Sequence, residues 1–194
     1  LAWSRGLGDV YKRQVIMPSF TFVSNPNAVV LRGATPIFVD VDPVTFNIDP
    51  QAVEQAITDR TRAIFATHYA GVPADMEALQ NIAEPRGIVL VEDAAQAYGS
   101  RRNGKPAGMM APLAGFSFHG TKNVAGGEAG ALVVNDRELA ARAAIIREKG
   151  TDRSRFLDGE VDFYTWQDVG SSQLVSEVTA AFLRAQLEHA DQLN

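Results

Sequence analysis

The sequence contains no cysteine, and this absence excludes several kinds of chemistry at once. Disulfide bonds, thiolate metal sites and cysteine nucleophiles are ruled out. Histidine is also scarce: His68, His119 and His189 are far apart and show neither HxxxH nor HExxH spacing. We therefore predict no metal site.

Basic blocks and long apolar runs are also missing. The formal net charge is −5, from 18 Lys+Arg against 23 Asp+Glu, so we expect no general nucleic-acid binding. No apolar run approaches the roughly 18 residues that a membrane span needs. The first residues lack the apolar core of a signal peptide. We therefore expect a cytoplasmic protein with no membrane partner.

The two ends of the sequence do not fit the pattern between them. Residues 1–14, LAWSRGLGDVYKRQ, have neither helical nor strand periodicity and look like translated vector or adapter sequence. We interpret them as a non-native tail. The other end stops within a helical pattern, QLEHADQLN, so we interpret the chain as a fragment.

Short apolar runs alternate with helical patterns along the rest of the chain. The runs are VIM (15–17), PIFVDV (36–41), RAIFATH (62–68), IVLVED (88–93), GFSF (115–118) and GALVVN (130–135). Such runs are typical of strands that are buried on both faces. Capping residues at Asp49, Asp75 and Asn135 indicate helix starts, and Gly150 indicates a helix end. A last helix is predicted to begin near Ser176. The alternation predicts an α/β fold with a mostly parallel sheet.

Polar groups follow three of the predicted strands. They lie at residues 67–69, 92–96 and 117–122. Ligands of such sheets bind beyond the carboxyl ends of the strands, so we expect the functional site there.

Lys122 stands in the glycine-rich segment SFHGTKN (117–123). The segment does not match the P-loop pattern GxxxxGK[ST], because Thr121 separates Gly120 from the lysine and Asn123 replaces the Ser/Thr. Two interpretations remain. Lys122 is either a surface lysine in a turn or a partly desolvated Schiff-base lysine that a rigid turn presents to a carbonyl.

Asp93 ends the run IVLVED and also has two interpretations. It is either the N-cap of a following helix or an acid held against a cation in a crevice. A pyridinium nitrogen is such a cation, and a carboxylate keeps it protonated so that the ring can accept electrons. Asp93 and Lys122 at neighbouring strand ends would serve the two ends of a pyridoxal ring.

The segments VEDAAQAYGS (91–100), GFSFHGTKN (115–123) and GEAGALVVN (127–135) closely resemble the sugar aminotransferases of the DegT/DnrJ/EryC1/StrS family. Residues 17–42 and 67–79 match as well. The resemblance implies the three-layer α/β/α, type I fold of the aminotransferases that use pyridoxal 5'-phosphate. Residues 15–170 would form part of the cofactor-binding large domain, and 171–194 a helix leading toward a missing C-terminal domain.

The resemblance also implies roles for individual residues. Lys122 would be the catalytic Schiff-base lysine, and Asp93 the partner of the pyridine nitrogen. Gln96 would lie near the 3-oxygen of the ring. Phe22 would stack on the ring, although a core position is the plainer interpretation of its sequence setting. His119 receives no role beyond hydrogen bonds within its turn.

The sequence has fewer of the family's phosphate contacts than of its contacts with the ring. Ser117 resembles a phosphate contact, and Ser172 stands where many family members have an Asn that reaches the phosphate of the partner subunit in a homodimer. The family's Gly-Thr-Ala-type helix N-terminus is replaced here by residues 1–14. We therefore expect the 194-residue chain alone to be inactive.

Residues 148–177 resemble the branch of the family that makes dTDP-4-amino-4,6-dideoxygalactose for enterobacterial common antigen, a cell-surface polysaccharide like the lipopolysaccharides. This implies glutamate as donor and a dTDP-linked 4-keto-6-deoxyhexose as acceptor. Arg147, Arg153 and Arg155 could bind its diphosphate, or could belong to a solvated loop.

Other functions stay open. The chain could serve another nucleotide sugar, or could be a family dehydratase, although known dehydratases have histidine in place of Lys122. A Rossmann-like nucleotide-binding module would need a GxGxxG after the first strand, and the sequence has none.

Overall fold

The computed structural model describes residues 13–193, and the chain divides into two compact units at Ser117/Phe118. Residues 1–12, most of the predicted tail, lie outside the described residues. No helix within residues 13–193 combines the length and the apolar character that a membrane crossing requires.

The first unit is built on a parallel sheet. Its elements are β1 (Gln14–Pro18), α1 (Ser24–Leu31), β2 (Thr35–Val39), α2 (Pro50–Ala56), β3 (Thr61–Thr67), α3 (Met76–Ala83), β4 (Val89–Asp93), the hairpin strands β5 (Arg101–Arg102) and β6 (Lys105–Pro106), and β7 (Leu113–Ser117). Short 3₁₀ turns cover Tyr69–Gly71 and Glu84–Arg86. The sheet order within this unit is β2-β1-β3-β4-β7, with every pairing parallel.

Both faces of this sheet are covered, because alternate residues of each strand point to opposite sides. Ile16 and Ile64 belong to one buried cluster with Val53 of α2 and Leu79 of α3. On the other face, Val15 and Met17 pack with Val29 of α1. Each fully buried aliphatic side chain contributes about 1.5–3 kcal/mol, so these clusters fix the sheet between its helices. The predicted three-layer α/β/α architecture is confirmed.

Two of the predicted helix caps are present in this unit. Asp49 accepts a hydrogen bond from the Gln51 amide (2.8 Å), and Asp75 accepts one from the Ala78 amide (3.2 Å). The sequence did not predict α1, whose N-cap Val23 offers no capping side chain. The Asn25-Pro26 pair within α1 is typical of turns, which explains the omission.

The second unit contains β8 (Gly130–Val134), α4 (Arg137–Arg147), α5 (Arg153–Leu157), α6 (Glu177–Glu188) and α7 (Ala190–Leu193). The helix α6 begins where it was predicted, and Ser176 caps it, since the Ser176 Oγ accepts a hydrogen bond from the Thr179 amide (3.1 Å). The cap of α4 is Asp136 rather than the predicted Asn135: the Asp136 carboxylate accepts the Glu138 amide at 2.8 Å. The short helix α5 was not predicted.

The loop after α4 is held by hydrogen bonds within its own unit. Gly150 has φ 78° and donates to the Ile145 carbonyl, which ends the helix as the sequence predicted. A side chain at Gly150 would collide with the Asp168 carbonyl. Asp152 is buried and accepts hydrogen bonds from the Thr165 amide (2.6 Å) and from Gln167 Nε2 (3.1 Å).

Candidate functional site

Asp93 lies at the carboxyl end of β4, level with Thr67 at the end of β3. Its Oδ2 accepts hydrogen bonds from Asn25 Nδ2 (2.7 Å) and from Thr67 Oγ1 (3.2 Å). Its Oδ1 accepts the Ala95 amide at 3.1 Å. A carboxylate can accept about four hydrogen bonds, so one acceptor position remains on Oδ1 among the described contacts.

Of the two interpretations of Asp93, the helix N-cap is wrong, and the acid held against a cation stays a prediction. The bond from the Ala95 amide is the local turn contact that a capping residue makes, although no helix follows Asp93. The bonds to Oδ2 come from residues distant in the chain and hold the carboxylate in one orientation. Thr21 belongs to the same group, at 3.0 Å from Thr67 and 2.8 Å from Asn25.

Gln96 is fixed by a neighbouring turn. Its Oε1 accepts a hydrogen bond from the Ala70 amide (2.8 Å), and Ala70 has a positive φ of 50°. Asn47 holds the same turn, because its Oδ1 accepts the Tyr69 amide at 2.9 Å. With Oε1 committed, the remaining polar group of Gln96 is the donor Nε2, which suits an anionic oxygen.

Lys122 is half-buried in a turn that His119 organises in the second unit. The Lys122 amide donates to the His119 carbonyl (2.9 Å), and His119 Nδ1 accepts the Thr121 amide at 3.2 Å. Because Nδ1 accepts, the ring proton lies on Nε2, which pairs with Glu128 at 3.3 Å. The expectation that His119 makes hydrogen bonds within its turn is confirmed. Within residues 13–193, no side chain pairs with the Lys122 amine.

The other predicted cofactor contacts stand in varied surroundings. Phe22 is 73% exposed, so the core interpretation of this residue is wrong, and stacking on a ligand stays a prediction. Ser117 is the half-buried last residue of β7. Ser172 is exposed and its backbone forms a bridge with Glu148 in the second unit.

Glu92, next to Asp93 in the chain, is fully buried. Its carboxylate accepts hydrogen bonds from His68 Nε2 (2.9 Å) and from the amides of Gly108 (2.7 Å), Met110 (2.7 Å) and Ala111 (2.8 Å). Burial raises the pKa of Glu92, but the bonds from His68, Gly108 and Met110 outweigh it and hold the pKa below its ordinary value. His68 is oriented by the Ala74 amide, which donates to Nδ1 (3.1 Å). Glu92 and His68 are therefore saturated structural groups, although the sequence grouped them with the functional residues.

The sequence did not single out Asn25 or Thr21. Asn25 lies 68 residues before Asp93, in a helix that the sequence did not indicate. Its only local signal is the turn-like Asn-Pro pair, which says nothing about a distant carboxylate.

These donor and acceptor groups fit pyridoxal 5'-phosphate. Asp93 offers an open acceptor position for a protonated ring nitrogen, and Gln96 offers an N–H donor for the ring oxygen. Lys122 offers an amine that no described side chain engages. The two groups of the first unit have the chemistry to bind and orient the ring, and an amine such as that of Lys122 has the chemistry to move a proton.

Comparison with known proteins identifies the family. The model of the DegT/DnrJ/EryC1/StrS aminotransferase family matches residues 5–194. The chain belongs to this family. The resemblance seen in the sequence is therefore confirmed at the level of the family.

Three curated relatives show the range of family members at similar identity. A pleiotropic regulatory protein of Geobacillus stearothermophilus is 41% identical, over 96% of this chain and 47% of that protein. GDP-perosamine synthase of Caulobacter vibrioides is 38% identical, over 99% of this chain and 49% of that protein. The dTDP-3-amino-3,4,6-trideoxy-alpha-D-glucose transaminase of Streptomyces venezuelae is 40% identical, over 98% of this chain and 48% of that protein. The chain thus spans about half the length of the curated relatives that it matches.

Solved structures of aminotransferases confirm the fold. The 3-amino-5-hydroxybenzoic acid synthase structure has a TM-score of 0.86 and 38% identity, over 94% of this chain and 48% of that one. DesV of S. venezuelae, solved in complex with a ketimine intermediate, has a TM-score of 0.83 and 37% identity, over 95% of this chain and 50% of that one.

Proposed function

We propose that the full-length protein is a pyridoxal-phosphate-dependent aminotransferase that moves an amino group from glutamate to a nucleotide-linked keto sugar. The observation that carries this proposal is the Asp93 carboxylate, which is held by three hydrogen bonds and keeps one acceptor position open. Family membership and the relatives that act on nucleotide sugars support it.

Each candidate residue has a distinct task in this proposal. Asp93 binds the ring nitrogen, Gln96 donates to the ring oxygen, and Phe22 covers the ring face. Ser117 donates to the phosphate of its own subunit, and Ser172 donates to the phosphate of the partner subunit. The cofactor, when bound, withdraws electrons from the carbon that exchanges its amino group.

Lys122 has two tasks. It would attach the cofactor covalently, and as a free amine it would take a proton from the donor carbon in the first half of the reaction and deliver one to the acceptor carbon in the second half. The His119 turn fixes its backbone through the bond from the Lys122 amide to the His119 carbonyl. A lysine with no ion-pair partner among the described residues is free to swing between these tasks.

The acceptor that we propose is a dTDP-linked 4-keto-6-deoxyhexose, which the enzyme converts to the 4-amino sugar for a cell-surface polysaccharide. This finer proposal rests on residues 148–177, which resemble dTDP-4-amino-4,6-dideoxygalactose transaminase. The relatives at 38–40% identity act on sugars linked to different nucleotides, so overall identity does not choose among acceptors.

The arginines near this segment differ in availability. Arg153 pairs with Glu148 (3.2 Å), and Arg155 pairs with Glu160 (3.0 Å). Arg147 is exposed and has no ion-pair partner within residues 13–193. We therefore assign the main contact with the substrate diphosphate to Arg147, with Arg153 and Arg155 as lesser contributors.

Spectroscopy of the full-length protein tests the cofactor assignment. A lysine-bound cofactor gives a visible absorption band that sodium borohydride abolishes by reducing the bond to the lysine. We expect the band in the parent and in Lys105→Ala, an exposed lysine of β6, and its loss in Lys122→Ala. Retention of a reducible band in Lys122→Ala would end the assignment.

The same proposal includes a homodimer in the cytoplasm. In such a dimer Ser172 of one subunit would serve the phosphate of the other. Sedimentation of the full-length protein tests this arrangement: a monomer with full activity would contradict it.

A further inference from the structure

We propose that Asn25 is a positioning residue for Asp93, keeping the open acceptor position of that carboxylate turned toward the cofactor nitrogen. This inference rests on the proposed function and extends it to a residue of α1. Asn25 is not itself a catalytic residue, because it acts through Asp93.

The contacts of Asn25 distinguish it from an ordinary helix residue. Its Nδ2 donates one N–H to Asp93 Oδ2 (2.7 Å) and the other to Thr21 Oγ1 (2.8 Å). Both hydrogens of the amide are therefore used, and both point into the same group of side chains. Asparagine is a poorer helix former than alanine, so helix stability does not account for its presence in α1.

The direction of every hydrogen bond in the group follows from these contacts. Thr67 donates its hydroxyl hydrogen to Asp93 Oδ2, so it must accept from Thr21 in their 3.0 Å contact. Thr21 accepts from Asn25 and donates to Thr67. Two donor routes thus converge on Oδ2, one direct from Asn25 and one through the two threonines.

This convergence has a consequence for Asp93. Oδ2 has both acceptor positions filled, while Oδ1 has one filled by the Ala95 amide. The carboxylate cannot rotate to exchange its oxygens without breaking the bonds from Asn25 and Thr67. Oδ1 is therefore the oxygen that stays available, and Asn25 makes the shorter of the two bonds that enforce this choice.

Two substitutions separate orientation from simple stability. Asn25→Ala removes the donor. Asn25→Asp keeps the size of the side chain but places a second carboxylate beside Asp93. Two carboxylates at this distance share a proton, so the pair in the variant takes up a proton that the parent does not hold. Asn81→Ala is the matched control, because Asn81 is exposed on the equally long helix α3.

The first measurement needs no cofactor. Thermal melting of the unloaded full-length protein is followed from pH 5 to pH 8. A shared proton is bound more tightly in the folded state, so the Asn25→Asp melting temperature should fall as pH rises, relative to the parent. The Asn81→Ala curve should run parallel to the parent. A parallel Asn25→Asp curve would overturn the contact between Asn25 and Asp93.

The second measurement uses the loaded full-length enzyme. We expect kcat/KM of Asn25→Ala to fall at least tenfold with cofactor still bound, and the ¹⁵N resonance of labelled cofactor to move away from its parent position. Asn25→Asp should lose kcat as pH rises and regain it as pH falls. If Asn25→Ala stays within twofold of Asn81→Ala with an unmoved resonance, the positioning role is wrong.

Asp93→Asn distinguishes this failure from failure of the proposed function. If Asp93→Asn lowers activity and moves the ¹⁵N resonance while Asn25→Ala does neither, only the positioning role is overturned. If Asp93→Asn also changes neither, the assignment of Asp93 to the ring nitrogen fails with it. Should Asn25→Ala fail to fold, the pH dependence of Asn25→Asp decides.

Discussion

Glu92 and Asp93 are consecutive carboxylates on β4, yet they differ in burial and in how many of their acceptor positions are filled. Glu92 is fully buried, and four donors fill its two oxygens. Asp93 is only partly buried, and three donors leave one acceptor position open. Successive strand residues point to opposite faces, so a step of one residue moves the acid from one environment to the other.

The difference separates a saturated structural acid from an acid that can still bind a ligand. A carboxylate whose acceptor positions are all filled can only hold its neighbours together. Glu92 does so for the His68 side chain and for the backbone at 108–111. A carboxylate that is rigidly held but not saturated can accept one further hydrogen bond, and this is the property that Asp93 offers to a ligand.

The largest effect is expected at Lys122, whose amine the proposed reaction needs in addition to the Asp93 carboxylate. Lys122→Ala in the full-length protein should lower kcat by about 10⁴-fold or more, because attachment of the cofactor and proton transfer both need the amine. The melting temperature should match that of Lys105→Ala within a few degrees. Steady-state kinetics with glutamate as donor provide the measurement, and near-parent turnover would contradict the role.

Asp93→Asn should have the next largest effect. The amide cannot hold the proton of the ring nitrogen, so we expect kcat/KM to fall by about 10²–10⁴-fold with the cofactor retained. Stability should fall by under about 1 kcal/mol: the asparagine oxygen can still accept from Asn25 and Thr67, and only the Ala95 amide loses its acceptor, at a partly buried position. A loss of less than about threefold in the kinetics would count against the pairing with the ring nitrogen.

Glu92→Gln should produce the reverse pattern. It replaces an acceptor oxygen by an NH₂ group that meets buried donors, so we expect unfolding free energy to fall by about 2–4 kcal/mol. Activity below the melting transition should stay within about threefold of the parent. Urea denaturation at pH 7 measures the unfolding free energy.

The pH dependence of stability sharpens this test. The pKa of Glu92 is held below its ordinary value of 4.5, so its contribution to stability is present above that pH and lost as pH falls through the lower, folded-state value. The parent should therefore lose more stability than Glu92→Gln between about pH 5 and pH 3. Equal slopes for the two proteins would show that Glu92 is not the ionised structural group described here.

A smaller effect is expected at Arg147. If it contacts the substrate diphosphate, Arg147→Ala should raise the KM for the sugar nucleotide about tenfold and leave the KM for glutamate unchanged. Arg155→Ala is the matched comparison, because Arg155 already pairs with Glu160, and its effect should be smaller. If Arg155→Ala raised this KM more than Arg147→Ala, the diphosphate contact would belong to α5.

A panel of dTDP- and UDP-linked 3-keto and 4-keto sugars tests the proposed acceptor. Preference for a 3-keto sugar would contradict the 4-keto proposal.

The fold was largely predictable because its strands are continuous apolar runs and most of its helices begin with capping side chains. The helices that were missed, α1 and α5, have no side-chain cap, so the local pattern did not mark their starts; the two-residue strands β5 and β6 were missed as well. Candidate site residues could be proposed from the sequence only where they belong to short motifs. Asn25 reaches Asp93 because α1 packs on the sheet, and Thr67 reaches Asp93 because the two residues pair at the ends of β3 and β4. Neither arrangement can be inferred from local spacing in the sequence.

The most direct test measures kcat/KM and the free energy of unfolding at pH 7 for Asp93→Asn and Glu92→Gln in the same full-length protein. The account predicts a crossed result: Asp93→Asn loses at least about 10²-fold in kcat/KM and under about 1 kcal/mol in stability, and Glu92→Gln loses about 2–4 kcal/mol in stability and less than about threefold in kcat/KM. If both variants lose stability and activity in the same proportion, the two carboxylates have one role, and the central claim is contradicted.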